Sequence, residues 1–131
     1  MDTLANREGF IWMDGQLINW ADAKVHVLTH TLHYGLGVFE GVRAYSTPEG
    51  TKIFRLNDHT NRLFESAKAV NMEIPFSEQE INEAQKEVFR VNELEEGYIR
   101  PMCFYGSEGM GLRADNCLLY TSDAADEERG V

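Results

Sequence analysis

Apolar and polar positions repeat along this chain with two different periods, and the changes of period divide it into elements. Phe10 to Met13 and Gln16 to Trp20 are short runs rich in aromatic and aliphatic residues. Asp14-Gly15 stands between them, the kind of pair that favours a two-residue hairpin turn. Ala21 to Tyr34 scatters polar residues irregularly among apolar ones, so a loop followed by a short helix is expected there. Gly35 to Tyr45 reads GLGVFEGVRAY, an apolar run holding three glycines, which predicts a strand approached closely by another group. Thr47 to Gly50 has the composition of a turn, and Thr51 to Phe54 forms the returning strand.

The period then changes to that of a helix. Between Asn57 and Asn71, Leu63, Phe64, Ala67 and Val70 fall on one face. Pro75 separates this segment from a second helix. There Ser77 and Glu80 have the spacing of a capping box, with Phe76 and Ile81 placed to form the hydrophobic staple around it. The second apolar face continues through Ala84, Val88 and Val91. Gly97 closes the connection, and Tyr98 to Tyr105 reads as a strand. Strands, then a helix pair, then a strand predict an α+β fold, an antiparallel sheet packed with two helices.

Composition narrows the function classes. The 131 residues suffice for one domain with its own core. Twelve basic against 22 acidic residues give a net charge of −10, the wrong sign for nucleic acid as a partner. No apolar run reaches the length of a membrane helix, and Met1 to Glu8 lacks a signal-peptide core, so a cytoplasmic location is expected. Cys103 and Cys117 are too few for a disulfide scaffold. His26, His30 and His33 are spaced for one helical face, but no carboxylate or cysteine falls in register, so no metal site is expected.

Strand periodicity gives the first chemical signal. Phe39, Gly41 and Arg43 share one strand face, and Tyr98, Arg100, Met102 and Phe104 share another. Both faces mix arginine with aromatic residues, where a core face would be uniformly apolar. Arg100 has two readings: a pair with a surface carboxylate at a sheet edge, which Pro101 would suit, or a guanidinium fork for a substrate carboxylate. Composition alone favours the first. His59 and Arg62 are three residues apart near the start of the first helix, where an anion is favoured. Arg62 there is either a phosphate holder or a surface residue, with His59 as a cap.

Three stretches, taken together, resemble the N-terminal domain of branched-chain amino-acid aminotransferases, pyridoxal-phosphate enzymes of fold type IV. They are IWMDGQLINWADAKVHVLTHTLHYGLGVFEGVRAY, IFRLNDHTNRLFESAK and YIRPMCFYGSEGMG. The resemblance covers about residues 10 to 113. It implies that Arg62 holds the cofactor phosphate, that Phe39 and Gly41 line the substrate pocket, and that Tyr98 and Arg100 surround the bound amino acid. It also implies a homodimer or larger assembly, in which Tyr34 and the loop with Met110, Gly111 and Leu112 reach into the partner's site.

The domain organisation expected is a flexible N-terminus at 1–9, a small aminotransferase domain at 10–116 and a non-family tail at 117–131. The larger C-terminal domain would be absent. The tail, CLLYTSDAADE onward, resembles a translated sequencing-adapter read and is expected to be an assembly artefact; a divergent acidic tail is the alternative. The lysine that forms the Schiff base is expected beyond the chain end, because Lys24, Lys52, Lys68 and Lys86 all fall outside its motif. The resemblance therefore implies a truncated transaminase, inactive by itself. The intact enzyme would exchange the amino group between leucine, isoleucine or valine and 2-oxoglutarate, with pyridoxal 5'-phosphate. The alternatives are a D-amino-acid aminotransferase, an aminodeoxychorismate lyase, or a non-catalytic binding module.

Overall fold

The computed structural model describes residues 3–107 and 116–122. Among the described residues, seven strands form one antiparallel sheet. They are β1 (Phe10–Met13), β2 (Gln16–Asn19), β3 (Gly37–Phe39), β4 (Val42–Thr47), β5 (Gly50–Ile53), β6 (Gly97–Phe104) and β7 (Asn116–Ser122). The order across the sheet is β2-β1-β7-β6-β4-β5, with β3 also paired to β6. The helices are the short α1 (His30–Tyr34), α2 (Leu56–Ala69) and α3 (Glu78–Val91). This is the α+β arrangement expected, with α2 and α3 as its helix pair.

Local sequence explains the joints. Asp14 and Gly15 both have positive φ, 51° and 89°, as a type I′ hairpin turn requires. Both long helices end in a Schellman motif closed by a left-handed residue that is not glycine. After α2, Asn71 (φ 57°) donates to the Lys68 carbonyl and Met72 to the Ala67 carbonyl. After α3, Glu93 (φ 53°) donates to Arg90 and Leu94 to Phe89. The helix pair is pinned by a polar seam that runs from the buried Gln85 out to the exposed Asn57. Gln85 and Asn82 of α3 bond the Thr60 hydroxyl of α2, and Asn82 also reaches Asn57.

The capping box at the start of α3 forms as its spacing predicts. Glu80 N–H donates to Ser77 Oγ at 3.1 Å, and Ser77 N–H donates to the Glu80 carboxylate at 3.2 Å. Ser77→Ala is expected to cost about 1 kcal/mol of stability by removing one of these acceptors. Urea unfolding of the two chains checks this, and equal midpoints would show that water replaces the cap without loss.

The sheet has two unlike faces. Val38, Val42, Ala44, Ile99 and Cys103 are buried on the face toward the helices. Leu63 and Ala67 of α2 and Ile81, Ala84 and Val88 of α3 cluster with Val38 and Cys103, and Leu56 of α2 and Phe89 of α3 with Val42, Ala44 and Ile99. Phe39, Gly41, Arg43, Tyr98, Arg100 and Met102 alternate with these residues and so lie on the opposite, more open face.

One expectation is corrected. Pro101 does not mark an edge: β6 is interior, with β7 on one side and β3 and β4 on the other. Its missing N–H is harmless because of where it falls. Glu40 N–H donates to the Pro101 carbonyl at 3.0 Å, so in an antiparallel ladder the missing donor faces the Glu40 carbonyl. β3 and β4 pair with β6 in one continuous register, Phe39 opposite Met102 and Val42 opposite Ile99. They are one strand interrupted at Glu40-Gly41, where Pro101 offers nothing. Residue 116 is the limit expected for the small domain. It is the first residue of β7, which enters the sheet between β1 and β6.

Candidate functional site

The interruption at Glu40-Gly41 places chemistry on both faces of the sheet at one point. Adjacent strand residues point opposite ways, so Glu40 turns toward the helices and Gly41 toward the open face.

On the open face, four of the candidate residues come together. The Arg100 guanidinium carbon lies 4.3 Å from the centre of the Phe39 ring and 5.2 Å from that of Tyr98. These are cation–π distances. Gly41 stands opposite Arg100 in the register and makes room for the Tyr98 ring. A Cβ on Gly41 would fall 3.0 Å from Tyr98 Cζ and collide with its hydroxyl. Glycine is needed here for space; its φ is not in the left-handed region. Among the described residues, no ion pair engages Arg100, which is half-buried between two rings. A cation desolvated in this way is suited to receive an anion. Arg43, directly opposite Tyr98, adds a second positive charge to the same face.

On the helix face lies a second constellation. Glu40 is 5% exposed and sits between the buried Val38 and Val42. Arg62 of α2 donates to its carboxylate through Nε (2.8 Å to Oε2) and Nη2 (2.7 Å to Oε1). His59, one turn earlier, places Nδ1 2.8 Å from Oε1. An ionised carboxylate only accepts, so Nδ1 carries the proton. Burial alone raises the Glu40 pKa, but the hydrogen bonds and charges of Arg62 and His59 outweigh it. The group therefore lies below its ordinary value. Glu40 in turn raises the pKa of Arg62.

The sign of the Glu40 effect predicts a pH dependence. A carboxylate with a lowered folded pKa contributes stability above its unfolded pKa, and the contribution is lost as pH falls through the folded value. The urea midpoint of the chain is expected to drop as pH is lowered past the ordinary glutamate range, about 4.3. Glu40→Gln is expected to flatten that part of the profile. Identical slopes in the two chains would show that other carboxylates carry the acid response.

The remaining candidates fall elsewhere. Arg62 lies in the second turn of α2, next to the first and near the helix start as expected. The helix dipole therefore gives it little help. No side chain caps α2, so His59 is no cap. Tyr34 is 74% exposed on α1, its ring 4.5 Å from that of His30 and 6.3 Å from that of His33, and these rings do not belong to the Arg100 group. Met110, Gly111 and Leu112 lie outside the described residues. Histidines 26 and 33 bond nearby backbone, Leu28 N–H and the Val27 carbonyl respectively. An open cavity of about 770 Å³ lies between α2, α3 and β5. Its cations, Lys52, Arg55, Lys86 and Arg90, each pair with a carboxylate three residues away, which makes it a solvated surface.

Sequence reasoning missed Glu40. The signal was present: a carboxylate on the core parity of a strand needs a cation and hydrogen-bond donors, and Arg62 and His59 offer a guanidinium and a ring N–H at helical spacing. Arg43 was placed on its face but given no role.

Comparison with known proteins bears on the family and the fold. Residues 37–128 match the family model for the class IV amino-transferases. The branched-chain-amino-acid aminotransferase of Pseudomonas aeruginosa is 63% identical over 123 residues, which cover 94% of this chain and 40% of that protein. The Escherichia coli K12 enzyme of the same name is 46% identical over 103 residues, 79% of this chain and 33% of that one. The chain thus spans well under half the length of these relatives. Among solved structures, a branched-chain aminotransferase from Escherichia coli superposes with a TM-score of 0.84 at 38% identity, covering 89% of this chain and 40% of that chain. A branched-chain aminotransferase from Thermoproteus uzoniensis, solved with norvaline, superposes with a TM-score of 0.82 at 35% identity, covering 89% and 41%. The resemblance read from the motifs is borne out, and the chain belongs to the class IV aminotransferase family.

Proposed function

We propose that this chain forms the phosphate-holding and substrate-facing part of a branched-chain amino-acid aminotransferase. The observation that carries the reading is the juxtaposition at Glu40-Gly41: a fixed guanidinium on one face, an aromatic-flanked guanidinium on the other. Arg62 spends two of its five N–H donors on Glu40 and keeps three, which fit a phosphate. Arg62 would hold the phosphate of pyridoxal 5'-phosphate, and the cofactor would supply the electron sink for amino-group transfer.

The rest of the substrate reading follows from the open face. Phe39 and Tyr98 give an apolar wall for a leucine, isoleucine or valine side chain, and Gly41 belongs to the same wall by leaving the Tyr98 ring its place. Arg100 serves the second carboxylate of glutamate or 2-oxoglutarate. Tyr34 and the loop with Met110, Gly111 and Leu112 are assigned to the partner's site in a homodimer or larger assembly. The exposed Val27, Leu28, Leu32 and Tyr34 support that assignment, since they form an apolar surface on one segment. The lysine that bonds the cofactor is assigned to the part of the relatives this chain does not cover. A cytoplasmic location is consistent with the finding that no helix among the described residues is long and apolar enough to cross a membrane.

The test joins residues 1–107 of this chain to the remainder of the Pseudomonas aeruginosa relative. Glutamate formation from leucine and 2-oxoglutarate, dependent on pyridoxal 5'-phosphate, is the expected result. A soluble hybrid that binds the cofactor yet favours D-alanine over leucine would replace this reading with a D-amino-acid aminotransferase. The 131-residue chain alone is expected to form no glutamate.

A further inference from the structure

The Arg62 guanidinium is aimed by a residue that the family resemblance left without a role. We propose that Glu40 is a positioning residue for the anion site at Arg62, holding the guanidinium plane so that its three remaining N–H donors are presented together. The inference rests on the reading of Arg62 as the phosphate holder.

The argument begins with the unequal surroundings of the two partners. The Arg62 side chain is 66% exposed, and a long side chain in solvent samples many rotamers. Glu40 is buried and fixed. Its own N–H is bonded to Pro101 in the interior strand, and Val38 and Val42 on either side are in the core. The fork contact through Nε and Nη2 matches the plane of a carboxylate, so it sets the orientation of the guanidinium as well as its distance. His59 occupies Oε1 as well, which leaves the carboxylate little freedom to rotate. Rotamer entropy is thereby lost on folding, before any ligand arrives.

Charge argues in the opposite direction, which makes the proposal testable. Glu40 neutralises Arg62, so removing its charge should strengthen attraction to a phosphate if charge were the deciding effect. In Glu40→Gln one fork hydrogen bond becomes a contact between two donors, so the guanidinium is released while the local charge rises by one. Glu40→Asp keeps the charge and withdraws it by one methylene, so the fork no longer closes.

The probe is inorganic phosphate, titrated against the full 131-residue chain with nitrogen-15 labelling. The readout is the Arg62 Nε–H resonance, assigned by its loss in Arg62→Lys. In the unsubstituted chain this proton is expected to exchange slowly with water and to shift with phosphate. Glu40→Gln and Glu40→Asp are each expected to speed its exchange at least tenfold and to weaken phosphate binding at least fivefold. In an Arg62→Lys background, Glu40→Gln is expected to change phosphate binding less than twofold, a non-additivity that general loss of structure would not produce.

Tighter phosphate binding in Glu40→Gln, with Glu40→Asp unchanged, would overturn the positioning role in favour of charge. Equal binding in all three chains would also overturn it and would leave the phosphate reading of Arg62 intact. An unsubstituted chain whose Arg62 resonance ignores phosphate would overturn the phosphate reading and this inference with it. If Glu40→Gln fails to fold, exchange at Arg62 in the unsubstituted chain and in Glu40→Asp still decides, because a fast-exchanging Nε–H in the unsubstituted chain denies the lock.

Discussion

Arg100→Met is expected to lower kcat/KM for glutamate by about a hundredfold and for leucine by about fivefold or less, measured in the hybrid protein described above. The larger figure corresponds to roughly 3 kcal/mol, the upper range for a hydrogen bond to a charged group. Methionine keeps an unbranched apolar stem between Phe39 and Tyr98, so the walls of the pocket remain filled. What disappears is the guanidinium that lies 4.3 Å from one ring and 5.2 Å from the other. Leucine brings no second carboxylate and loses only indirect effects. Arg100→Lys separates charge from shape: it keeps the positive charge but cannot form a fork, and it should fall between the other two. Equal losses for glutamate and leucine would mean that Arg100 supports the sheet face and does not select the substrate. Arg43 would then be the candidate for the second carboxylate, since it lies on the same face.

The parts of this structure that were legible in the sequence are those governed by local rules. Asp14-Gly15 dictated its own hairpin because both positions tolerate positive φ. Ser77 and Glu80 announced the start of α3 by spacing alone. The two-residue period separated Phe39, Gly41, Tyr98 and Arg100 from the core set, and the structure places these four together on one face. What the period could not say was which strands adjoin. β7 lies between β1 and β6, a pairing across most of the chain that no local pattern encodes. For the same reason Pro101 was misread. A proline usually marks an edge, but its cost depends on where the missing N–H points, and here it points at the break between β3 and β4.

Glu40 shows the other limit of such reading. Its partners lie 19 and 22 positions along the chain, on a helix. The strand pattern flags a carboxylate among core residues, and the helix pattern flags an arginine and a histidine at adjacent turns. Only the packing of α2 on the sheet joins the two flags. The helix register matters as much as the partners: beginning at Leu56, α2 puts Arg62 beyond the reach of the helix dipole and toward Glu40 instead.

Leu63 follows Arg62 on α2, and Leu63→Ala is expected to cost about 3 kcal/mol of stability. Leu63 is fully buried and packs in the cluster with Val38, Ile81, Val88 and Cys103, so it touches the sheet and α3 at once. Removing three carbons there leaves a cavity that two helices and a strand must collapse to fill. The neighbouring polar seam through Thr60 and Gln85 resists such a collapse, because moving α2 would strand a buried amide. The loss should appear as a lower urea midpoint with an unchanged slope, followed through Trp12, whose ring lies in the same cluster. Leu63 also adjoins Arg62 in sequence, so a cavity that lets α2 settle inward must move the guanidinium relative to Glu40. Faster exchange of the Arg62 Nε–H should therefore accompany the loss of stability. A chain destabilised by the full amount with that proton still protected would show that the Glu40–Arg62 fork, and not the core beneath it, fixes where α2 stands on the sheet.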